Sequence, residues 1–403
     1  MKLRTHQLLV VSSVAIAFCL APSKPALGQY TITTLASFND SNGRNPVAGL
    51  TLSGSTLYGT TVYGGANGAG EVFSVPVTGG TPTVLASLYF PDGGEPTAGL
   101  ILSGSTLYGT TSSGGAINPF GEVFSVPVTG GTPTVLASFN GSNGNSPYAG
   151  LTLSGSTLYG TTQLGGANGD GEVFSIPVTG GTPTVLASFN GSDGADPLAG
   201  LTLSGSTLYG TTYLGGANGD GEVFSVPVTG GTPTVLVSFN GSNGENPYAG
   251  LTLSGSTLYG TTYFGGANGD GEVFSVPVTG GTPTVLASFN GSNGNYPHAG
   301  LTLSGSTLYG TTADGGANGD GEVFSVPVTG GTPTVLASFN GSIGDDPYAG
   351  LTLSGSTLYG TTSAGGANGD GTVFSVTVPE PGSILLLGLG TIGLLARRRG
   401  YAS

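Results

Sequence analysis

The chain of 403 residues has one cysteine, Cys19, two histidines, His6 and His298, and seven basic side chains. Each shortage removes a class of chemistry. Cys19 lies in a leader-like N-terminal segment, so a mature chain without that segment has no thiol. Disulfides, thiolate catalysis and zinc–sulfur centres are then excluded. Lysine and arginine number 7 against 21 aspartates and glutamates, a formal charge of −14. The bases are Lys2, Arg4, Lys24, Arg44, Arg397, Arg398 and Arg399, which leaves Arg44 alone between the terminal segments. So acidic a surface repels phosphate backbones and does not seek anionic lipid, which argues against nucleic-acid binding. Lys2 and Lys24 both lie in the leader-like segment, so a mature chain has no lysine and Schiff-base chemistry is also out. Helix-forming runs rich in Ala, Glu, Lys and Leu are missing between the termini.

What is abundant is glycine, 79 residues, with 25 prolines. High glycine and proline without a pattern would indicate disorder, but here they recur in register. The tripeptide Leu-Tyr-Gly begins at Leu57, Leu107, Leu158, Leu208, Leu258, Leu308 and Leu358. The interval is 50 residues, once 51, the extra residue falling in the loop Gly115–Gly121 of the second repeat. A period near 50 belongs to propellers and related arrays rather than to short-period solenoids.

One unit reads as four strands. Residues 149–153 are a first strand, followed by the tight turn Ser154-Gly155-Ser156. A second strand covers 157–162, and the Gly-rich loop 165–171 leads to a third at 172–176. A turn at 179–182 precedes the fourth, 184–189. Apolar residues face both ways, as Leu158 with Tyr159 and Val173 with Phe174, which suits a sheet covered on both sides. The expectation is an all-β, seven-bladed propeller with kelch-like four-stranded blades over residues 29–376. Pro177 and its equivalents fall in the interior third strand, where a missing N–H demands a bulge or an early strand end. Residues 30–38 match a fourth strand and have no first three, whereas the last unit, 349–376, has three strands and no fourth. The N-terminal strand is therefore expected to close the last blade and remove the exposed edges.

The two ends read as addresses. Lys2 and Arg4 precede an apolar run over 8–20, and Ala26-Leu27-Gly28 offers small residues for cleavage, so residues 1–28 are expected to be a signal peptide. Lipidation of Cys19 is a second reading, weakened by the bulky Phe18 before it. Residues 377–403 contain Pro379-Glu380-Pro381, an apolar run over 384–396, and Arg397-Arg398-Arg399. The run spans about 20 Å as a helix, short for a bilayer core, and the arginines would stay cytoplasmic. A single C-terminal transmembrane helix is expected; a buried globular helix is the bland alternative.

This tail resembles the PEP-CTERM sorting signal of Gram-negative bacteria, on Pro379, Glu380, Pro381, the short apolar span and the arginine cluster. The resemblance implies an exosortase-type processing protease as partner. It also implies a transient inner-membrane anchor and passage to the cell surface or extracellular matrix, often in organisms that make exopolysaccharide. The repeats in turn resemble the GloVer repeats of bacterial surface proteins, seen with interchangeable C-terminal anchors. The shared residues are Gly150, Leu158 to Thr162, Gly165, Gly166 and Gly171 to Phe174. The Ser-Gly-Ser turn departs from the more acidic turn expected of that family. This resemblance implies class and location, and no reaction or cofactor.

Candidate chemistry is sparse. A Ser-His-Asp arrangement would have to use His298, which stands where other repeats have Tyr148, Tyr248 or Tyr348 and reads as a drifted repeat position. Asp170, Asp220, Asp270, Asp320 and Asp370 recur in the Gly-rich loop, and Gly165 to Asp170 loosely matches the Gly-Gly-x-Gly-x-Asp calcium pattern. Plain turn chemistry is the competing explanation. Differences between repeats gather in two places. One pair follows the second strand, as Val62-Tyr63, Tyr213-Leu214 and Tyr263-Phe264. The other precedes the loop proline, as Arg44-Asn45, Asn295-Tyr296 and Asp345-Asp346. In an up-and-down blade both loops emerge on one rim. Two readings stay open: neutral drift on exposed loops, or a binding face. In the second, Tyr63, Tyr213, Tyr263, Phe264 and Tyr296 are stacking platforms for extracellular polysaccharide. The role expected is a structural or adhesive surface protein rather than an enzyme, with a carbohydrate-binding module as alternative and a carboxylate hydrolase last.

Overall fold

β-Branched threonine and valine dominate segments whose two faces are both apolar, so the segments pair into sheets and the sheets then stack. The computed structural model describes residues 30–115 and 119–378. It contains seven four-stranded antiparallel sheets. Blades 1 to 6 span residues 51–87, 101–138, 152–188, 202–238, 252–288 and 302–338, each a consecutive meander. Blade 3 shows the pattern, with strands Thr152–Ser154, Thr157–Thr162, Glu172–Pro177 and Thr184–Ser188. Blade 7 takes its first three strands from residues 352–377 and its fourth from the opening strand, Ile32–Ser37. That strand runs antiparallel to Thr372–Thr377, with Ile32 opposite Val376 and Ser37 opposite Thr372. The propeller and its N-terminal closure are as the offset repeat implies.

The first strand differs from the sequence reading, and the third strand takes one of its two expected outcomes, the early end. The first strand is only three residues long, because residues such as Ala149 and Gly150 run along the central axis without a ladder partner. The third strand ends at the proline. Pro177 is still opposite Thr157 on the inner side, but pairing to the fourth strand stops at Ser175, so no ladder N–H is missed. The bulge lies instead in the fourth strand, where Leu186 is the extra residue between Ala187 and Val185. The leader 1–28, the sorting residues Pro379, Glu380, Pro381, Arg397, Arg398 and Arg399, and the expected C-terminal helix lie outside the described residues. Among the described residues the helical element is one 3-10 turn, Phe90–Asp92, and no helix is long and apolar enough to cross a membrane.

Three contacts join each blade to the next. The hydroxyl of a buried second-strand threonine donates to an alanine carbonyl of the following blade, as Thr60 to Ala98 at 3.0 Å and Thr161 to Ala199 at 3.1 Å. Thr361 to Ala48 at 3.0 Å completes the circle from blade 7 to blade 1. The bulge frees a leucine carbonyl, which accepts from the next blade's turn glycine: Gly231 to Leu186, 2.9 Å. The preceding Gly230 has φ +82° and passes so close that a Cβ would lie 2.8 Å from that carbonyl. Leu35 repeats the bulge in the opening strand and accepts from Gly80 at 2.9 Å, while the Tyr30 N–H serves Leu336 at 2.7 Å. Finally, a fully buried phenylalanine at the end of each fourth strand meets one in the next blade edge to face. Phe189 and Phe224 have centroids 4.9 Å apart, as do Phe38 and Phe73 across the closure. Leu88 holds this place in blade 1.

Truncating Phe38 therefore opens a cavity at the ring closure, whereas in an unclosed array it would touch nothing. Phe38→Ala is expected to lower unfolding free energy by about 3–5 kcal/mol, as much as Phe289→Ala in mid-chain. Denaturant titration of both variants checks the equivalence.

Candidate functional site

The two variable segments of each unit pair with each other. Arg44 bridges Tyr63, Asn145 bridges Leu164, Glu245 bridges Phe264 and Asn295 bridges Asp314, each as a short antiparallel step above the blade. Both sets thus share one rim. The residue before the proline is left-handed in every blade: Asn45, Glu95, Ser146, Asp196, Asn246, Tyr296 and Asp346 have φ between 53° and 58°. Such a φ costs a bulky residue about 1–2 kcal/mol, so variation at this position is confined by backbone geometry. The turn aims its N–H at the preceding blade's Gly-rich loop, as Asp196 to the Asp170 carbonyl at 3.1 Å and Tyr296 to Asp270 at 3.0 Å. The backbones of Asp170, Asp220 and Asp270 thereby join adjacent blades, and the Asp320 carboxylate accepts the Gly341 N–H at 2.7 Å. Among the described residues no group of three or more His, Cys, Asp or Glu side chains is gathered to hold a metal.

From this rim the chain turns inward through Pro-X-Ala-Gly to the axis. The X residues are Val47, Thr97, Tyr148, Leu198, Tyr248, His298 and Tyr348, and they line a cavity of about 520 Å³ at the mouth of the axial channel. Its floor is a ring of glycines. A Cβ on Gly99 would lie 2.9 Å from the Gly49 carbonyl oxygen, so at that position only glycine lets the backbones meet this closely.

The mouth is lopsided, with its rings concentrated on blades 3 to 7. Tyr248 and His298 have centroids 3.7 Å apart, His298 and Tyr348 4.8 Å, Tyr213 and Tyr248 5.7 Å, and Tyr148 and Tyr248 6.4 Å. Tyr263 joins this group through His298 at 5.9 Å, stacks on Tyr296 at 5.1 Å and meets Phe264 at 4.5 Å. Of the expected platforms, Tyr213, Tyr263, Phe264 and Tyr296 therefore belong to one continuous aromatic wall. Tyr63 lies outside these ring contacts, under the Arg44 guanidinium at 5.7 Å. The residues that sequence reasoning missed are Tyr148, Tyr248, His298 and Tyr348. Their signal was a third variable column, directly before the repeated Ala-Gly.

Electrostatics at the mouth run one way. Burial lowers the His298 imidazole to about 4, against the small opposing pull of its hydrogen bond to the Tyr348 carbonyl, 3.3 Å from Nδ1. The ring is neutral, with Nδ1–H the donor, and its partners are that carbonyl and aromatic faces. Burial, then Asp346 and its neighbours, pushes the Tyr348 phenol up to about 12, and the Tyr248 phenol is raised by burial. Burial, followed by Asp345, Asp314 and Asp320, pushes Asp346 up to about 6. Asp196, Asp314 and Asp345 are raised as well, by burial first and a neighbouring aspartate second.

A second set of carboxylates belongs to the fold. Glu71, Glu122, Glu172, Glu222, Glu272 and Glu322 head the third strands and are 2% exposed or less. Each accepts from a fourth-strand serine, as Ser238 to Glu222 at 2.7 Å and Ser188 to Glu172 at 2.9 Å. The Gly-rich loop closes over them, so a Cβ on Gly166 would meet Glu172 at 2.5 Å. Burial raises Glu71, Glu172, Glu222, Glu272 and Glu322, with Glu222 reaching about 7. In blade 7 Thr372 takes the position.

Ring, rim and repeat together define a seven-bladed propeller of tandem bacterial type with a lopsided aromatic mouth. The chain belongs to the Gloeobacter/Verrucomicrobia repeat family, whose sequence profile matches residues 17–224 and 204–387. The PEP-CTERM protein-sorting motif matches 377–399, which marks the chain for export and membrane-associated sorting and implies processing by an exosortase. Among solved structures, a Bacteroides uniformis protein assigned as a 6-phosphogluconolactonase is 18% identical with a TM-score of 0.51. That match covers 76% of this chain and 88% of the other. An Agrobacterium tumefaciens protein assigned as TolB is 17% identical with a TM-score of 0.40, covering 65% and 85%. At these identities the first likeness shows the fold alone. No curated protein matches the chain.

The buried glutamates yield a pH prediction. Their folded pKa lies above the unfolded value, so folding favours the protonated form. That contribution is fully present below about pH 4.5 and is lost as pH rises through the folded pKa, about 7 for Glu222. The thermal midpoint is expected to fall between about pH 5 and pH 8, and Glu222→Gln to flatten part of that slope and raise the midpoint at the upper end. Calorimetric scans across this range check both.

Proposed function

We propose that the protein is an exported surface or matrix component of structural or adhesive type that holds extracellular polysaccharide at the aromatic mouth of its propeller. The observation that carries this reading is the contiguous wall of Tyr148, Tyr213, Tyr248, Tyr263 and Tyr348 around an open cavity, continued onto the rim by Phe264 and Tyr296. Large aromatic faces normally sink into cores; half-buried together on a rigid rim, they offer stacking surface to sugar rings. The raised phenols stay protonated and donate hydrogen bonds, and the rim carboxylates accept them. Export through the PEP-CTERM signal, with removal of residues 1–28 and processing near Pro379-Glu380-Pro381, brings this face to the polymer.

Binding without turnover is the reading we favour. His298 is neutral and set among tyrosines, with a backbone carbonyl as its hydrogen-bond partner, so it has no nucleophile to activate. Phosphorylated sugars, as named for the Bacteroides uniformis relative, call for cationic partners. Among the described residues Arg44 is the one lysine or arginine, and it is paired with Asp40 at 3.4 Å.

Two measurements test this. Replacing Tyr213, Tyr263 and Phe264 together by alanine is expected to weaken binding to the producer's own polysaccharide at least about tenfold, since a stacked ring contributes about 0.5–1.5 kcal/mol. Unchanged retention on the polymer would remove the mouth from the adhesive role. Mass spectrometry of protein recovered outside the cell is expected to show a chain starting near Gln29 and ending near Pro381. A species carrying Arg397 to Arg399 would show that processing does not occur.

A further inference from the structure

Stacking explains the rings of the mouth but not the company they keep. Asp314 and Asp345 stand on the rim steps that bridge Asn295 and Ala364, Glu245 bridges Phe264, and the carbonyls of Asp346 and Asp196 accept the N–H groups of Tyr348 and Tyr213 at 3.0 Å each. Their charges act on these rings: Asp314 and Asp346 on Tyr263 and Tyr348, Glu245 and Asp196 on Tyr213. They stand on the same blades, 4 to 7, as the rings, whereas Arg44 stands apart by Tyr63 and is engaged with Asp40. The inner position is neutral too, since His298 stays uncharged there. A wall of π-faces has its negative potential directed at whatever sits over it, and carboxylates behind add to that potential. A neutral sugar would be served by the rings alone. An anion would be repelled by both, and a small inorganic cation would have to shed a tightly held hydration shell to reach the rings.

We propose that the aromatic arc of blades 4 to 7 recognises an organic cation on a sugar, an ammonium group of an amino-sugar residue seated over Tyr263 and Tyr348 with the Asp314, Asp345 and Asp346 carboxylates behind it. This deepens the polysaccharide reading and rests on it. Tyr213 and Tyr248 are then the platforms for the sugar ring itself. The cluster of aspartates is held at its own electrostatic expense: Asp346 is pushed up to about 6 by burial and by its acidic neighbours. A cation in the cavity relieves that repulsion, which is the complementarity an empty acidic rim lacks. The lopsidedness of the mouth follows as well, because Val47 and Thr97 on blades 1 and 2 contribute neither rings nor charge.

The test titrates the purified propeller chain, by calorimetry at moderate salt, with three oligomers of equal length. One is a glucosamine oligomer with trimethylated amines, cationic at every pH; one is the N-acetylated oligomer; one is an unsubstituted glucan. The cationic oligomer is expected to bind at least about tenfold tighter than the acetylated one, the order of a desolvated cation–π contact. Tyr263→Ala and Asp346→Asn should each remove most of that preference, bringing the cationic and acetylated oligomers to within about twofold of each other, and Tyr263→Phe should keep it. Circular dichroism of each variant guards against misfolding. Equal affinity for all three oligomers would overturn the cation assignment and leave the sugar reading standing. Binding to none would overturn both. A cationic preference that survives Tyr263→Ala would mean diffuse charge attraction, and would also overturn the site.

Discussion

The structure depends on one hydrogen bond made seven times. A threonine hydroxyl buried in each second strand reaches the alanine carbonyl of the next blade, and the series ends where it began, Thr361 to Ala48. That carbonyl lies on the stretch of chain that hugs the axis and has no strand partner. Left unmet, each would be a buried acceptor costing about 1–3 kcal/mol. The threonine is therefore what permits the chain to run bare down the centre, with the glycine ring below it. The inner strand is short for the same reason: its first residues are held by a neighbour's side chain, not by a ladder.

Near-identity of the repeats follows from that geometry. A closed ring needs every interface to turn by the same angle, and an interface made of one threonine, one bulged leucine carbonyl and one pair of edge-to-face phenylalanines reproduces the angle wherever it occurs. The opening strand carries all the parts it needs to stand in for a missing fourth strand: Leu35 for the bulge, Phe38 for the ring, and Tyr30 to satisfy Leu336. Variation is squeezed to the rim and the inner lining. Even there the left-handed turn before the proline sets limits, so that Tyr296 and Asp346 adopt the same backbone as Asn45 and Asn246.

Much of the fold was legible in the sequence because its information is periodic. Strand count, blade number and closure follow from the spacing of Leu-Tyr-Gly and from the orphan segment at residues 30–38. The first strand was read too long, since Ala149 and Gly150 have strand-like neighbours and nothing in sequence shows that their partner is a side chain of the previous blade. At Pro177 a bulge or an early strand end was expected from the missing N–H, and the strand ends there; the bulge at Leu186 was not foreseen, because its reason is a carbonyl needed by the next blade. The rim was found through differences among repeats. Tyr148, Tyr248, His298 and Tyr348 passed as drift because one column of mixed residues looks like noise until seven copies point at a common axis. What brings Tyr263 beside His298, thirty-five residues away in sequence, is the radial convergence of separate blades.

The direction of the third strand has an architectural meaning. It starts at the rim that bears the variable loops, at Glu172 and its equivalents, and ends at the opposite face, where Pro177 begins the turn. Blade 7 follows the same course, so the chain departs at Thr377 from the back of the disc. A tether attached there would hold the molecule like a dish antenna on its mast, with the aromatic bowl on the side away from the mooring.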